Sequence, residues 1–253
     1  MTVSSCAALV ERGDPDRFVA IMAAPRAARP RLWPLYAFNL EIARAPWVTK
    51  EPMIAEMRLQ WWRDVVAGPA PRAHEVAGPL HALIQSAALP IPVLDRMIEA
   101  RRWDVYTTPF ADRAAFDQYL DDTAAGLLWL AACSLGAGAE AEMPVRAYGW
   151  AMGLANYLRA IPELEQRGRR PLVDGRPSAI AALAEDGLRC IATARRAGAM
   201  VGAGAAALLA GWQSEAVLKI AMADPAAVAE GRLHLSEFSR RGRLMAQALT
   251  GRW

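Results

Sequence analysis

Three groups of side chains in this sequence are candidates for chemistry. The first is Arg58-Leu59-Gln60-Trp61-Trp62-Arg63-Asp64. Two guanidiniums can grip a phosphate or carboxylate in a bidentate fork. Five residues apart, however, they stand about 140° apart around a helix. An amphipathic helix with solvated arginines and buried tryptophans is the plainer reading. The second group is Asn156-Tyr157-Leu158-Arg159 with Arg167-Gly168-Arg169-Arg170 following. A helix end feeding a basic loop could hold an anion, but a solvated loop is the plainer reading. The third is Asp117, Asp121 and Asp122. Asp117 and Asp121 share a helix face at i, i+4 and could hold a metal, or simply complement a helix N-terminus. His74, His81 and His234 have no metal-ligand spacing, and no GxSxG, P-loop or dinucleotide fingerprint occurs. No residue stands out as catalytic and none as a metal ligand.

Helices must position these groups. Asp14-Pro15-Asp16-Arg17 reads as a helix start, with an acidic cap and an early proline. Pro30 to Ile42 reads as a second helix, with Leu32, Leu35, Tyr36 and Phe38 to bury. Ile54 to Val66 is a third, whose spacing puts Ile54, Met57, Trp61 and Val65 on one face. Further helices are expected over 81–88, 93–106, 113–135, 144–161, 178–196, 199–222 and 235–249. No alternating strand pattern, internal repeat or dividing linker is evident. The expectation is one all-α domain over residues 1–253, a bundle of about eight to ten helices.

Composition agrees. Hydrophobic residues make up 54% of the 253, ample for a core. Alanine is abundant while Thr, Ile and Tyr are sparse, which favours helix. The net charge of +3 permits contact with phosphates or an anionic membrane. No Lys/Arg block is dense enough for a nucleic-acid arm. Cys6, Cys133 and Cys190 are far apart and odd in number, as in a reduced compartment. The run from Met1 to Arg12 lacks the pattern of a signal peptide. The uncharged stretch Ala197 to Trp212 is short of the roughly 20 apolar residues a membrane span needs, so it reads as a buried helix. A cytoplasmic location is expected, with contact at the inner membrane surface left open. Of the nine tryptophans, Trp61, Trp129 and Trp150 sit in apolar runs and read as core, whereas Trp47 and Trp253 read as accessible.

Several of these segments, in order along the chain, resemble the squalene/phytoene synthase family. They are Asp16-Arg17-Phe18 with Arg29-Pro30-Arg31-Leu32-Trp33-Pro34-Leu35-Tyr36-Ala37-Phe38, then Arg58 to Asp64, then Gly153 to Arg159 with Arg167-Gly168-Arg169, and finally Leu235-Ser236-Glu237 and Arg243-Leu244. The resemblance implies the all-α isoprenoid synthase fold with a central cavity. Family enzymes join two prenyl diphosphates, held by Mg²⁺ bridging to aspartates on facing helices. The metal neutralises the leaving group as the allylic bond ionises. In this sequence the family's acidic positions fall at Ala43, Arg44 and Trp47, and at Ala160 and Leu164. None is acidic, and Arg44 would put a cation where a metal sits. Glu41 lies two positions off the register, about 200° around the helix. The run Leu158-Arg159-Ala160-Ile161-Pro162 resembles the phytoene-synthase-like assembly factors of mitochondrial respiratory complex I, which are regarded as non-catalytic.

Two main readings follow. One is a non-catalytic binding or assembly protein without cofactor. Its cavity would take an isoprenoid, quinone or lipid, and its partner would be a protein in respiratory-complex assembly. Tyr36, Phe38, Arg58, Arg63, Asn156 and Arg159 are its candidate cavity residues. The other is a Mg²⁺-dependent prenyl transferase with relocated ligands, drawn from Glu41, Glu163 or the Asp117/Asp121/Asp122 cluster. A scaffold that binds a protein or membrane surface, with no small ligand, is a third.

Overall fold

The computed structural model describes residues 3–49 and 51–253. The first two residues of the N-terminal run discussed above lie outside them. Helices account for all the regular structure among the described residues. In order, they are α1 (Val3–Gly13), α2 (Pro15–Ala23), α3 (Arg29–Arg44), α4 (Pro52–Ala67), α5 (Ala77–Ala87), α6 (Ile91–Ala100), α7 (Arg113–Leu120), α8 (Gly126–Ser134), α9 (Glu142–Gln166), α10 (Pro177–Arg196), α11 (Ser214–Ala223), α12 (Ala226–Ala229) and α13 (Glu237–Thr250).

Local chemistry explains the starts. The Asp14 carboxylate accepts from the Arg17 amide, and Pro15 occupies the first turn of α2. Ser236 caps α13 through the Ser239 amide in the same way. Pro30 sits in the first turn of α3, where its missing N–H costs nothing.

Two helices form the middle of the molecule. In α3 every residue from Leu32 to Leu40 is buried, and in α8 every residue but Cys133. A helix apolar all round belongs in the interior. Around them lie α1, α5 and the long α9, itself flanked by α10. One continuous buried cluster runs from Cys6 to Trp253.

Between α7 and α8 the chain makes a π-helical turn at Asp121–Ala125. Widened turns of this kind often mark functional sites. It packs tightly on α9, because α9 offers glycine there. A Cβ built on Gly149 would lie 2.7 Å from Ala125 Cα, and one on Gly153 2.5 Å from Ala124 Cβ. Only a residue without a side chain lets the two backbones approach this closely.

Three expectations are corrected. The buried face of α4 is Ala55, Leu59, Trp62, Val65 and Val66, while Ile54 and Met57 are exposed. The expected stripe of Ile54, Met57, Trp61 and Val65 therefore straddles two faces, since apolar residues also recur at helical spacing on the solvent side. The stretch 199–222 is not one helix. It is a 3-10 run, Gly202–Gly211, followed by α11. Glycine weakens the α-helix there, and Gly211 packs against the Tyr148 ring while its carbonyl accepts from the Tyr148 hydroxyl at 3.1 Å. Finally, Trp253 is buried, its indole edge-on to Tyr148. Trp129 is core as expected, Trp61 and Trp150 are half-buried, and Trp47 is 36% exposed.

No helix among the described residues is long and apolar enough to cross a membrane. The three cysteines are free thiols, Cys6 fully buried.

A candidate ligand cavity between helices α3 and α9

A cavity of about 240 Å³ opens between α3, α9, the π-helical turn and a short 3-10 turn at Trp103–Val105. Two stripes face each other across it. From α3 and the turn after it come Asn39, Ala43 and Trp47, and from α9 come Asn156, Ala160 and Leu164. Both stripes step by four residues, which keeps their helical members on one side of each helix. Trp47 and Asn156 are exposed and lie at the mouth.

The remaining wall is polar and aromatic. Asp104, almost fully buried, accepts from the Tyr119 hydroxyl at 3.0 Å and from Arg101 Nη1 at 3.1 Å. Arg101 Nη1 also reaches the Tyr119 oxygen at 2.9 Å. Burial works against the Arg101 charge, yet Tyr119 and Asp104 outweigh it and hold the guanidinium protonated. Burial pushes the phenols of Tyr119 and Tyr157 far above the usual tyrosine range, so both stay neutral. The Tyr157 hydroxyl donates to the Pro171 carbonyl at 2.9 Å.

The basic loop after α9 has a structural task. Arg169, 7% exposed, donates to the backbone carbonyls of Trp103, Asp104 and Tyr106. This clamps the 3-10 turn that carries Asp104. Its guanidinium also lies 4.8 Å from the Trp47 ring centre and 5.2 Å from that of Trp103. Arg167 stacks on Trp47 at 4.5 Å and pairs with Glu163. The reading of this loop as a phosphate grip is thereby corrected: Arg167 and Arg169 are engaged within the protein.

Of the six candidate cavity residues, the structure puts Asn156 on the cavity and the other five elsewhere. Tyr36 is wholly buried under the Arg17 guanidinium, 4.8 Å from its ring centre. Burial, more than any charge, pushes its phenol up to about 12. Phe38 packs edge-on to Trp62 in the core. Arg58 is exposed on α4. Arg63 makes a bidentate pair with Asp95 at 2.6 and 3.0 Å, and also reaches Glu99. Arg159 pairs with Asp16 at 3.1 Å, and Arg240 joins from α13. Burial would raise the Asp16 pKa, but hydrogen bonds from Gln213 and Arg159 and the Arg240 charge outweigh it and hold the carboxyl below its usual range. Arg159 therefore ties α9 to α2 and α13.

Of the five positions where the resemblance implied the family's aspartates, Ala43, Trp47, Ala160 and Leu164 all line the cavity. Arg44 does not. It is exposed one residue around the helix, its guanidinium against Gly13 of α1. The expectation of a cation at the metal position is overturned by that rotation. Sequence reasoning missed Arg17, Asn39, Arg101, Asp104 and Tyr119. Asn39 carried a signal, since it precedes Ala43 by one helical step.

These residues do not fit magnesium. Among the described residues, the sole carboxylate on the cavity wall is Asp104, already held by Arg101 and Tyr119. Glu163 is committed to Arg167. Asp117, Asp121 and Asp122 lie apart from the cavity and pair with Arg113, Arg146 and Arg96 respectively. Among the described residues, no group of three or more His, Cys, Asp or Glu is placed to hold a metal ion.

Facing helical stripes across a central cavity are the layout expected of a prenyl synthase, and the family's squalene/phytoene synthase model matches residues 10–172, well over half the chain. The chain belongs to the squalene/phytoene synthase family. A dehydrosqualene synthase crystallised with a ligand superposes with a TM-score of 0.83 at 15% identity, over 98% of this chain and 95% of that one. Squalene synthase HpnC from Alicyclobacillus acidocaldarius gives 0.70 at 22% identity, over 90% and 94%. At those identities the likeness shows the isoprenoid synthase fold alone. In sequence, the chain is 29% identical over 178 residues to a Drosophila melanogaster protein named NADH dehydrogenase (ubiquinone) complex I, assembly factor 6 homolog, covering 66% of this chain and 53% of that one. To the Homo sapiens assembly factor 6 it is 25% identical over 161 residues, covering 62% and 48%. The chain spans about half the length of these curated relatives.

Proposed function

We propose that this family member is a non-catalytic, cofactor-free protein that holds an isoprenoid-like or lipid ligand in the α3–α9 cavity and assists assembly of a respiratory complex. The observation that carries the reading is the chemistry of the facing stripes. Ala43, Trp47, Ala160 and Leu164 occupy the wall where the family would present aspartates to Mg²⁺. Octahedral magnesium tolerates little displacement of its carboxylates. Without it, a departing diphosphate loses most of its electrostatic stabilisation.

The assembly role rests on the names of the relatives, and the respiratory-complex partner with it. A cytoplasmic location with peripheral contact at the inner membrane fits the same reading. The alternative, a transferase with relocated ligands, has no cluster of acids on the cavity to support it.

Deleting the gene in its native host tests the assembly role. Assembled complex I on native gels, and NADH:quinone reductase activity in membranes, should both fall and return on complementation. Unchanged complex I in the deletion strain would sink it.

A further inference from the structure

The charges around the cavity are already spent. Arg17 and Arg101 are the cations on its wall. Arg17 pairs with Asp14 at 3.4 Å, and Arg101 with Asp104 at 3.1 Å. At the mouth, Arg167 pairs with Glu163 and Arg169 is held by three backbone carbonyls. Among the described residues, a diphosphate entering here would meet no cation without a partner. It would either break a buried pair or remain an unpaired charge in a desolvated wall, and both are strongly unfavourable.

Hydrogen-bonding capacity, by contrast, is left over. Asn39 is 8% exposed and lines the cavity, and its Oδ1 has no partner. Nε of Arg101, on the same wall, is a donor without an acceptor. Buried polar atoms in folded proteins are ordinarily satisfied, so each unmet one calls for a ligand or water. An amide presents either its oxygen or its NH₂ by turning about its last bond. Apart from Asp104, Thr123 and Asn156, the rest of the lining is apolar or aromatic, with Trp47, Leu120, Tyr119 and Tyr157 among it.

We infer that the cavity takes the uncharged, oxygen-bearing head of an isoprenoid, a hydroxyl or a carbonyl, with its first isoprene unit, and rejects the diphosphate form. This rests on the ligand-binding reading above. The head oxygen accepts from Arg101 Nε and bonds the Asn39 amide. The rest of the tail leaves past Trp47 and Asn156 at the mouth.

Isothermal titration of the purified chain tests this with four probes: geraniol, a ubiquinone bearing one isoprene unit, geranyl diphosphate with and without Mg²⁺, and inorganic diphosphate. Geraniol, the quinone or both should bind. Geranyl diphosphate should bind at least 100-fold more weakly, with no gain from Mg²⁺. The two neutral probes distinguish an alcohol from a quinone as the head. Asn39→Ala should weaken the neutral probe about tenfold, the worth of one hydrogen bond. Asn156→Ala, at the exposed mouth, provides a second folded variant should Asn39→Ala be unstable. Geranyl diphosphate binding as tightly as geraniol would overturn the neutral-head inference while leaving the ligand cavity standing. No binding by any probe would remove both.

Discussion

Asp104→Asn is the most informative single change. Asp104 and Arg101 are a buried pair, with side chains 6% and 15% exposed. The amide is close to the carboxylate in shape and still accepts from the Tyr119 hydroxyl, so what it removes is the charge opposite Arg101. Breaking a buried pair by deleting one partner costs about 3–5 kcal/mol, because the other charge remains buried and uncompensated. Arg101 keeps only the neutral Tyr119 oxygen as a side-chain partner. For a chain of this size, a loss of about 3 kcal/mol lowers Tm by roughly 6–12 °C. The double variant Asp104→Asn/Arg101→Met removes both charges and fills the space with an apolar chain. Replacing a buried pair in this way is often near neutral, so it should recover most of the loss. Urea unfolding followed by circular dichroism measures all three proteins at equal slope. The reasoning is refuted if Asp104→Asn alone lies within 1 kcal/mol of the parent, or if the double variant is no more stable than Asp104→Asn.

Other outcomes follow from the same geometry. Gly149→Ala should destabilise by about 1–3 kcal/mol through overpacking, since its Cβ would sit 2.7 Å from Ala125 Cα; an unchanged thermal midpoint would mean α9 can step back freely. Arg169→Ala should cost about 2 kcal/mol or more, given about 1.5–3 kcal/mol per hydrogen bond to a charged group. Arg169→Lys should not restore it, because an ammonium cannot span three carbonyls in the plane of a fork; acrylamide quenching should rise in both as Trp47 loses its stacked cation. Burial, aided by Glu75, pushes the Cys6 thiol from 9.0 up to about 11. The folded state therefore holds that proton more tightly than the unfolded chain, so stability present below pH 9 falls as pH rises towards 11. Urea midpoints at pH 8, 9.5 and 10.5 should drop less steeply in Cys6→Ala, and parallel curves would contradict the assignment.

The cavity stripes were legible because helical spacing maps sequence directly onto a face. With helices expected over 30–42 and 144–161, the same step of four carried a little past their ends puts Ala43 with Trp47 and Ala160 with Leu164. The same rule, followed one residue further, would have excluded Arg44, which a 100° rotation turns towards α1. Arg101 and Asp104 were out of reach for a different reason. They come from a helix end and a 3-10 turn whose position is set by Arg169, distant in the chain, and no local pattern encodes that clamp. Arginine was also over-read as ligand-binding. Arg63 and Arg159 meet Asp95 and Asp16, partners that only tertiary structure brings near. The face of α4 failed because Met53, Ile54 and Met57 repeat at helical spacing in solvent, where periodicity alone cannot tell inside from outside.

The central claim is that the metal-dependent chemistry of the fold has been lost from this cavity. Diphosphate release from farnesyl and geranylgeranyl diphosphate, assayed with purified protein and Mg²⁺ or Mn²⁺, tests it most directly. The account predicts no release above a buffer control at either metal. Metal-dependent turnover would contradict it, and would mean that carboxylates away from the α3 and α9 stripes gather a metal when substrate binds.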